Sequence, residues 1–221
     1  MDILFFAAIA FYIFWKLREQ FGRVDEEEKK QVLEKVSRKK EIITAVQNQV
    51  MAIQKKVVEQ TDAQKQANEK IINSIDEASQ ETFRKILTLC NISAEFFLIG
   101  VKSAFEMTIK SFSTADLSTL KLLLSDKVFV GFEQAINHRK TLEQNLISNV
   151  IAVDAKIISA SIFENSAVIV ISFSSKQINY ITDKDGQIVE GRKDEIRELN
   201  DVWTFKKDIG VTNKNWVISA T

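Results

Sequence analysis

The chain has 221 residues, room for one sizeable domain with added elements or for two small ones. Hydrophobic residues make up 45%, while Lys+Arg and Asp+Glu are equal at 30 each, so a core can form and no global field draws in nucleic acid. Cys90 is the sole cysteine and proline is absent, which excludes an intrachain disulfide and favours long uninterrupted helices and strands.

The first element is the uncharged run ILFFAAIAFYIFW, Ile3 to Trp15. As a helix it is about 20 Å long, short of the roughly 30 Å hydrocarbon core. Extension to Leu17 helps, because Lys16 can snorkel, and Tyr12 and Trp15 suit an interface. Three readings compete: a cleaved signal peptide, a buried core helix and a membrane anchor. Asp2 at the front, basic residues only afterwards and no A-x-A-like site weigh against cleavage. Apolar character on every face weighs against a core helix. The expectation is an anchor over residues 1–18, contacting lipid through Ile3, Leu4, Phe5, Phe6, Ile9, Phe11, Tyr12, Ile13, Phe14 and Trp15. Lys16, Arg18 and Arg23 follow the apolar run, so the positive-inside rule places the remainder in the cytoplasm of a single-pass protein.

Residues 19–80 form a charged stretch rich in Glu, Lys and Gln. Val36, Ile43, Val46, Val50, Ile53 and Val57 recur at heptad spacing, with Val32 upstream; the seam fades through Gln60, Gln64 and Ala67 and recovers at Ile71. One reading is a coiled-coil stalk or partner-binding helix, with a homo-oligomer formed through residues 32–71. The other is a lone solvated helix or linker.

From residue 81 the pattern changes. TFRKILTLC predicts a short helix with Phe83, Ile86, Leu87 and Cys90 inward. In the next segment Phe97, Val101, Phe105, Ile109 and Phe112 share one helical stripe. Asp116 is placed to cap LSTLKLLL, and Ser125 or Asp126 to cap a further helix with Val128, Phe132 and Ile136 in line. The period then falls towards two. Ile151, Val153, Ala155 and Ile157 alternate, Ser166–Ser174 is rich in β-branched residues, and DKDG at Asp183–Gly186 is a turn signal. DVWTFKKDI and NWVISAT read as closing strands joined by a loop near Thr212–Lys214. Helices followed by adjacent strands predict an α+β domain over 81–221 with an antiparallel sheet. Trp203, Phe205 and Trp216 are expected to form its aromatic wall. The aromatic stripe is core in one reading and the lining of an apolar pocket in the other.

Several pieces occur together and in order over residues 94–221: FFLIGVKSAFEMTIKSF, Asp116 with LKLLLSDKVF and FEQAINHR, ISASIFENSAVIVISF, DxxGxxxEG around Gly186–Gly191, and WTF followed by a closing W-x-hydrophobic-x-x-T. In these the chain resembles the Tim44-like domain family, the C-terminal domain of the mitochondrial inner-membrane import-motor tether and its α-proteobacterial relatives. The resemblance implies a cone-shaped fold of the nuclear-transport-factor-two-like type, with helices on a curved antiparallel sheet of about four strands around a deep apolar pocket. It also implies contact with membrane lipid such as cardiolipin, an inner-membrane or translocation-associated protein partner, and a scaffolding role at a bacterial inner membrane. Residues 1–15 carry no Lys or Arg, unlike the basic, Arg-rich presequence of the eukaryotic tether.

No catalytic constellation emerges from the residues. His138 is the only histidine and lies one residue off its helical stripe beside Arg139 and Lys140. One His and one Cys cannot build a zinc site, and neither GxxxxGK[ST] nor GxGxxG is present. No cofactor is expected. Asp154 and Asp201 are the acidic residues that strand alternation could aim into a pocket, with the register open. Lys206, Lys207 and Lys214 have acidic neighbours, which favours a solvated sheet edge over a nucleic-acid surface. The expectation is a non-enzymatic, membrane-anchored tether. The alternative is a small-molecule-binding or enzymatic pocket.

Overall fold

A computed structural model describes residues 62–211 and 215–221. The anchor residues, the heptad seam up to Val57 and the loop at Thr212–Lys214 lie outside the described residues.

Among the described residues five helices come first: α1 Asp62–Asn73, α2 Glu77–Cys90, α3 Ala94–Ser113, α4 Leu117–Leu123 and α5 Asp126–Thr141. Local chemistry sets their ends. Asn91 closes α2 in the left-handed region at φ 51°, a conformation that asparagine tolerates, and Ile92 N–H donates back to Leu87 O. Ser93 starts α3 by accepting from Phe96 N–H at 3.0 Å. Asp116 caps α4 as expected, accepting from the N–H groups of Ser118 and Thr119 and from both hydroxyls. Ser125 occupies the cap position of α5, and its N–H donates to Ile218 O, tying that helix to the last strand. Ile72 of α1 and the following Ile75 are buried in the domain core, so the end of the charged stretch packs here.

The strands are β1 Asn145–Phe163, β2 Ser166–Thr182, β3 Ile188–Gly191, β4 Arg197–Asp208 and β5 Val217–Ala220. All pairings are antiparallel in the order β1-β2-β4-β5, with short β3 on the end of β2. This is an α+β fold with an antiparallel sheet. Glu164 and Asn165, both at positive φ, make the two-residue β1–β2 turn whose twist matches the strands. Gly191 sits at φ 77°, and a side chain there would collide with Asn179 O, so β3 approaches β2 through a glycine.

Simple alternation along β1 is corrected by two bulges. Ile151 and Ile158 are each an extra residue in the pairing with β2, and both are exposed. Each bulge flips the parity. Val153, Ala155 and Ile157 keep the inward stripe, whereas Ile151 leaves it and Val150 packs against the core instead.

The core forms where α2 and α3 cross the sheet. Phe105 is fully buried, stacked at 4.7 Å on Phe173 of β2 and 4.7 Å from Trp203 of β4. Phe97 meets Phe83 edge-on at 5.9 Å and Trp216 at 5.1 Å. Beyond Phe173 the inner face of β2 turns polar. Ser148 donates to Asn179, Asn179 to Gln177 Oε1 at 3.1 Å, and Gln177 Nε2 to Ser175 Oγ at 2.8 Å. Gln177 and Ser175 are buried, and this chain of bonds supplies them with partners.

Candidate functional site

Beside the core the elements leave a pocket of about 680 Å³, within the roughly 300–1,000 Å³ range of small-ligand sites. Its walls come from four elements. The C-terminal half of α3 gives Ile109 and Phe112. One face of α5 gives Lys127, Val128, Gly131, Phe132 and Ala135, at the three- and four-residue spacing that aligns side chains on a helix. Alternate residues of β4 give Asp201 and Trp203, and the β5 end gives Ser219, Ala220 and Thr221.

Phe112 and Phe132 meet edge-on at 5.1 Å, joining the two helices at the wall. Arg139 secures the same junction, donating to the main-chain carbonyls of Phe112 and Ser113. Gly131 interrupts the α5 wall: a methyl group placed there would meet nothing within 4 Å. The glycine therefore leaves space that any other residue would fill.

Asp201 shares the inward parity of Trp203 and Phe205 and pairs across the strands with Phe173. Burial pushes its carboxyl above the ordinary aspartate value. Among the described residues no ion pair or hydrogen bond reaches it, Lys127 on the facing wall included. Asp154, the other acidic candidate, lies on the outside and pairs with Lys102 at 3.0 Å.

The aromatic stripe therefore divides. Phe97, Val101, Phe105 and Phe205 are core, whereas Ile109, Phe112 and Trp203 reach the pocket. Trp216 is half-buried against Phe97. His138 is exposed on α5. Cys90 is half-buried, and burial raises its thiol. No group of three or more metal-donor side chains occurs among the described residues. Lys127, Ala135 and the β5 residues lie within the segments LKLLLSDKVF, FEQAINHR and NWVISAT, but no stripe marks them as wall residues. Gly131 is flagged only because a glycine inside a helix is costly.

Among the described residues no single helix is long and apolar enough to cross a membrane. The bent pair α2 and α3 reaches that length and composition only together, across an 83° corner, and the inward stripe of α3 is core.

The model of a family described as the Tim44-like domain matches residues 79–221. A relative from Rickettsia prowazekii (strain Madrid E), "Uncharacterized protein RP434", is 24% identical over 99% of this chain and 95% of its own length. Two solved structures show weaker likeness. The intermembrane space region of chloroplast protein ARC6 is 9% identical with a TM-score of 0.36, covering 55% of this chain and 92% of that one. A nuclear transport factor 2 (NTF2-like) superfamily protein from Salmonella enterica serovar Typhimurium is 10% identical with a TM-score of 0.33, covering 57% of this chain and 88% of that one.

Proposed function

This chain belongs to the Tim44-like domain family, and on that premise we propose that it is a non-enzymatic, membrane-anchored tether with a cone-shaped, nuclear-transport-factor-two-like C-terminal domain. Residues 1–18 hold it in a bacterial inner membrane, and the domain faces the cytoplasm. There it binds membrane lipid, cardiolipin among the candidates, and a translocation-associated protein. The charged stretch after residue 18, up to the start of α1 at Asp62, sets the reach between the two ends.

The observation that carries this reading is the aromatic-walled pocket of about 680 Å³ inside the segment that matches the family. A tether needs one attachment at the membrane and a separate recess for its partner. Confinement to two dimensions then raises the effective concentration of the domain for membrane partners without adding a contact. The pocket's wall supports docking over chemistry: its charged members are Lys127 and Asp201, with no nucleophile–base pair between them.

The test is crosslinking of the full chain in native membranes, followed by identification of the bound proteins. Recovery of a secretion channel or chaperone is the expected result. Recovery of respiratory-complex or ribosomal proteins alone would replace translocation with an assembly role. Turnover of a small molecule by the purified chain would overturn the non-enzymatic reading.

A further inference from the structure

We infer that the α3–α5–β4 pocket is a binding site for a small amphiphilic organic cation, whose ammonium group sits at Asp201 against the aromatic wall and whose aliphatic body lies along Ile109, Val128 and Phe132. The inference rests on the reading of this pocket as the domain's docking recess and names the chemistry that the recess takes; binding of small probes is read separately from partner recovery and membrane attachment.

Three observations carry it. Asp201 lines an otherwise largely apolar recess and has no hydrogen bond or ion pair from any described residue. A carboxylate desolvated without compensation is unfavourable unless a cation or donor completes it. The side chain on the same strand face is Trp203, and Phe112 and Phe132 stand on the helical walls. Aromatic faces attract ammonium groups, most strongly where water is excluded. Gly131 keeps the α5 wall open opposite them, with nothing within 4 Å of the position its side chain would take.

The sign of the charge decides between ligand classes. An anionic head would face the Asp201 carboxylate. Lys127, an exposed residue on the first turn of α5, is the other charged wall residue and forms no ion pair with Asp201. A neutral head would leave Asp201 uncompensated. A cation satisfies it and favours its ionised form, so affinity should fall as pH drops and the carboxyl protonates.

The experiment is calorimetric titration of the full chain in phosphatidylcholine nanodiscs, with empty discs subtracted. The probes are hexylammonium, hexanol and hexanoate, which share a tail and differ in head charge. Hexylammonium should bind most tightly and hexanoate least. Asp201→Asn should weaken hexylammonium by about tenfold or more, the scale of losing a charged partner, and leave hexanol nearly unchanged. Gly131→Leu should abolish binding of both while the protein still melts cooperatively. Equal hexylammonium binding by parent and Asp201→Asn would overturn the inference. So would tighter binding of hexanoate, no binding of hexylammonium, or undiminished binding in Gly131→Leu.

Discussion

Arg139 donates from Nη2 to the main-chain carbonyl of Phe112 at 2.7 Å, and its guanidinium carbon lies 5.0 Å from the centre of the same residue's ring. One side chain of α5 thus holds both the backbone and the ring at the end of α3. Its charge complements the carbonyl-rich terminus of that helix. Replacing Arg139 with Ala should cost about 1–3 kcal/mol, read as a lower urea midpoint. Arg139→Lys should recover only part, because an ammonium cannot reproduce the planar fork and its stacking. A fully stable Ala variant would show that the clamp contributes nothing.

Phe105 lies between Phe173 and Trp203 with no exposed surface. Phe105→Ala should destabilise the domain by about 3–5 kcal/mol, and Phe105→Asp should unfold it. Circular dichroism and thermal melting check both. A folded Asp variant that has lost only ligand binding would move Phe105 from the core to the pocket.

Asp201 gives a pH signature. Burial raises its carboxyl above the ordinary value, so the folded state holds a proton that the unfolded state, near about 3.9, has already released. The stability linked to that proton is fully present below the unfolded value and is lost as pH rises through the folded one. Asp201→Asn removes the loss. Its stability margin over the parent should be largest at neutral pH and should close below about pH 4. Urea midpoints across pH measure it, and a parent more stable than the variant at pH 7 would contradict the burial argument.

Gly131 makes the opposite kind of test. It stands inside α5 with open space before it. Gly131→Ala should raise stability by about 0.5–1 kcal/mol through helix propensity alone. A loss of stability would mean that the wall is tighter there than the structure gives.

Much of this fold was legible in the residues. The stripe of Phe97, Val101 and Phe105 has helical period and is core. Asp116 precedes LSTLKLLL and caps it. WTF places Trp203 and Phe205 on one strand face, and both are buried. Other features were not readable, because they depend on pairing rather than local pattern. The bulges at Ile151 and Ile158 look like ordinary apolar positions until β2 is laid alongside. The ladder from Ser148 to Ser175 reads as polar surface, yet its middle is buried. Asp154 and Asp201 could not be told apart without the register, and only Asp201 reaches the pocket. Whether Gly131 opens onto a recess depends on the facing α3 and β4.

The proposed tether is attached at a membrane by two contributions, an apolar segment and the domain behind it. Fractionation of the full chain and of a chain lacking residues 2–17, each washed in low and high salt, tests it most directly. The full chain should stay with membranes in both washes, whereas the shortened chain should be held at low salt and released at high salt. A full chain found in the soluble fraction, or a shortened chain that resists high salt as the full one does, would contradict it.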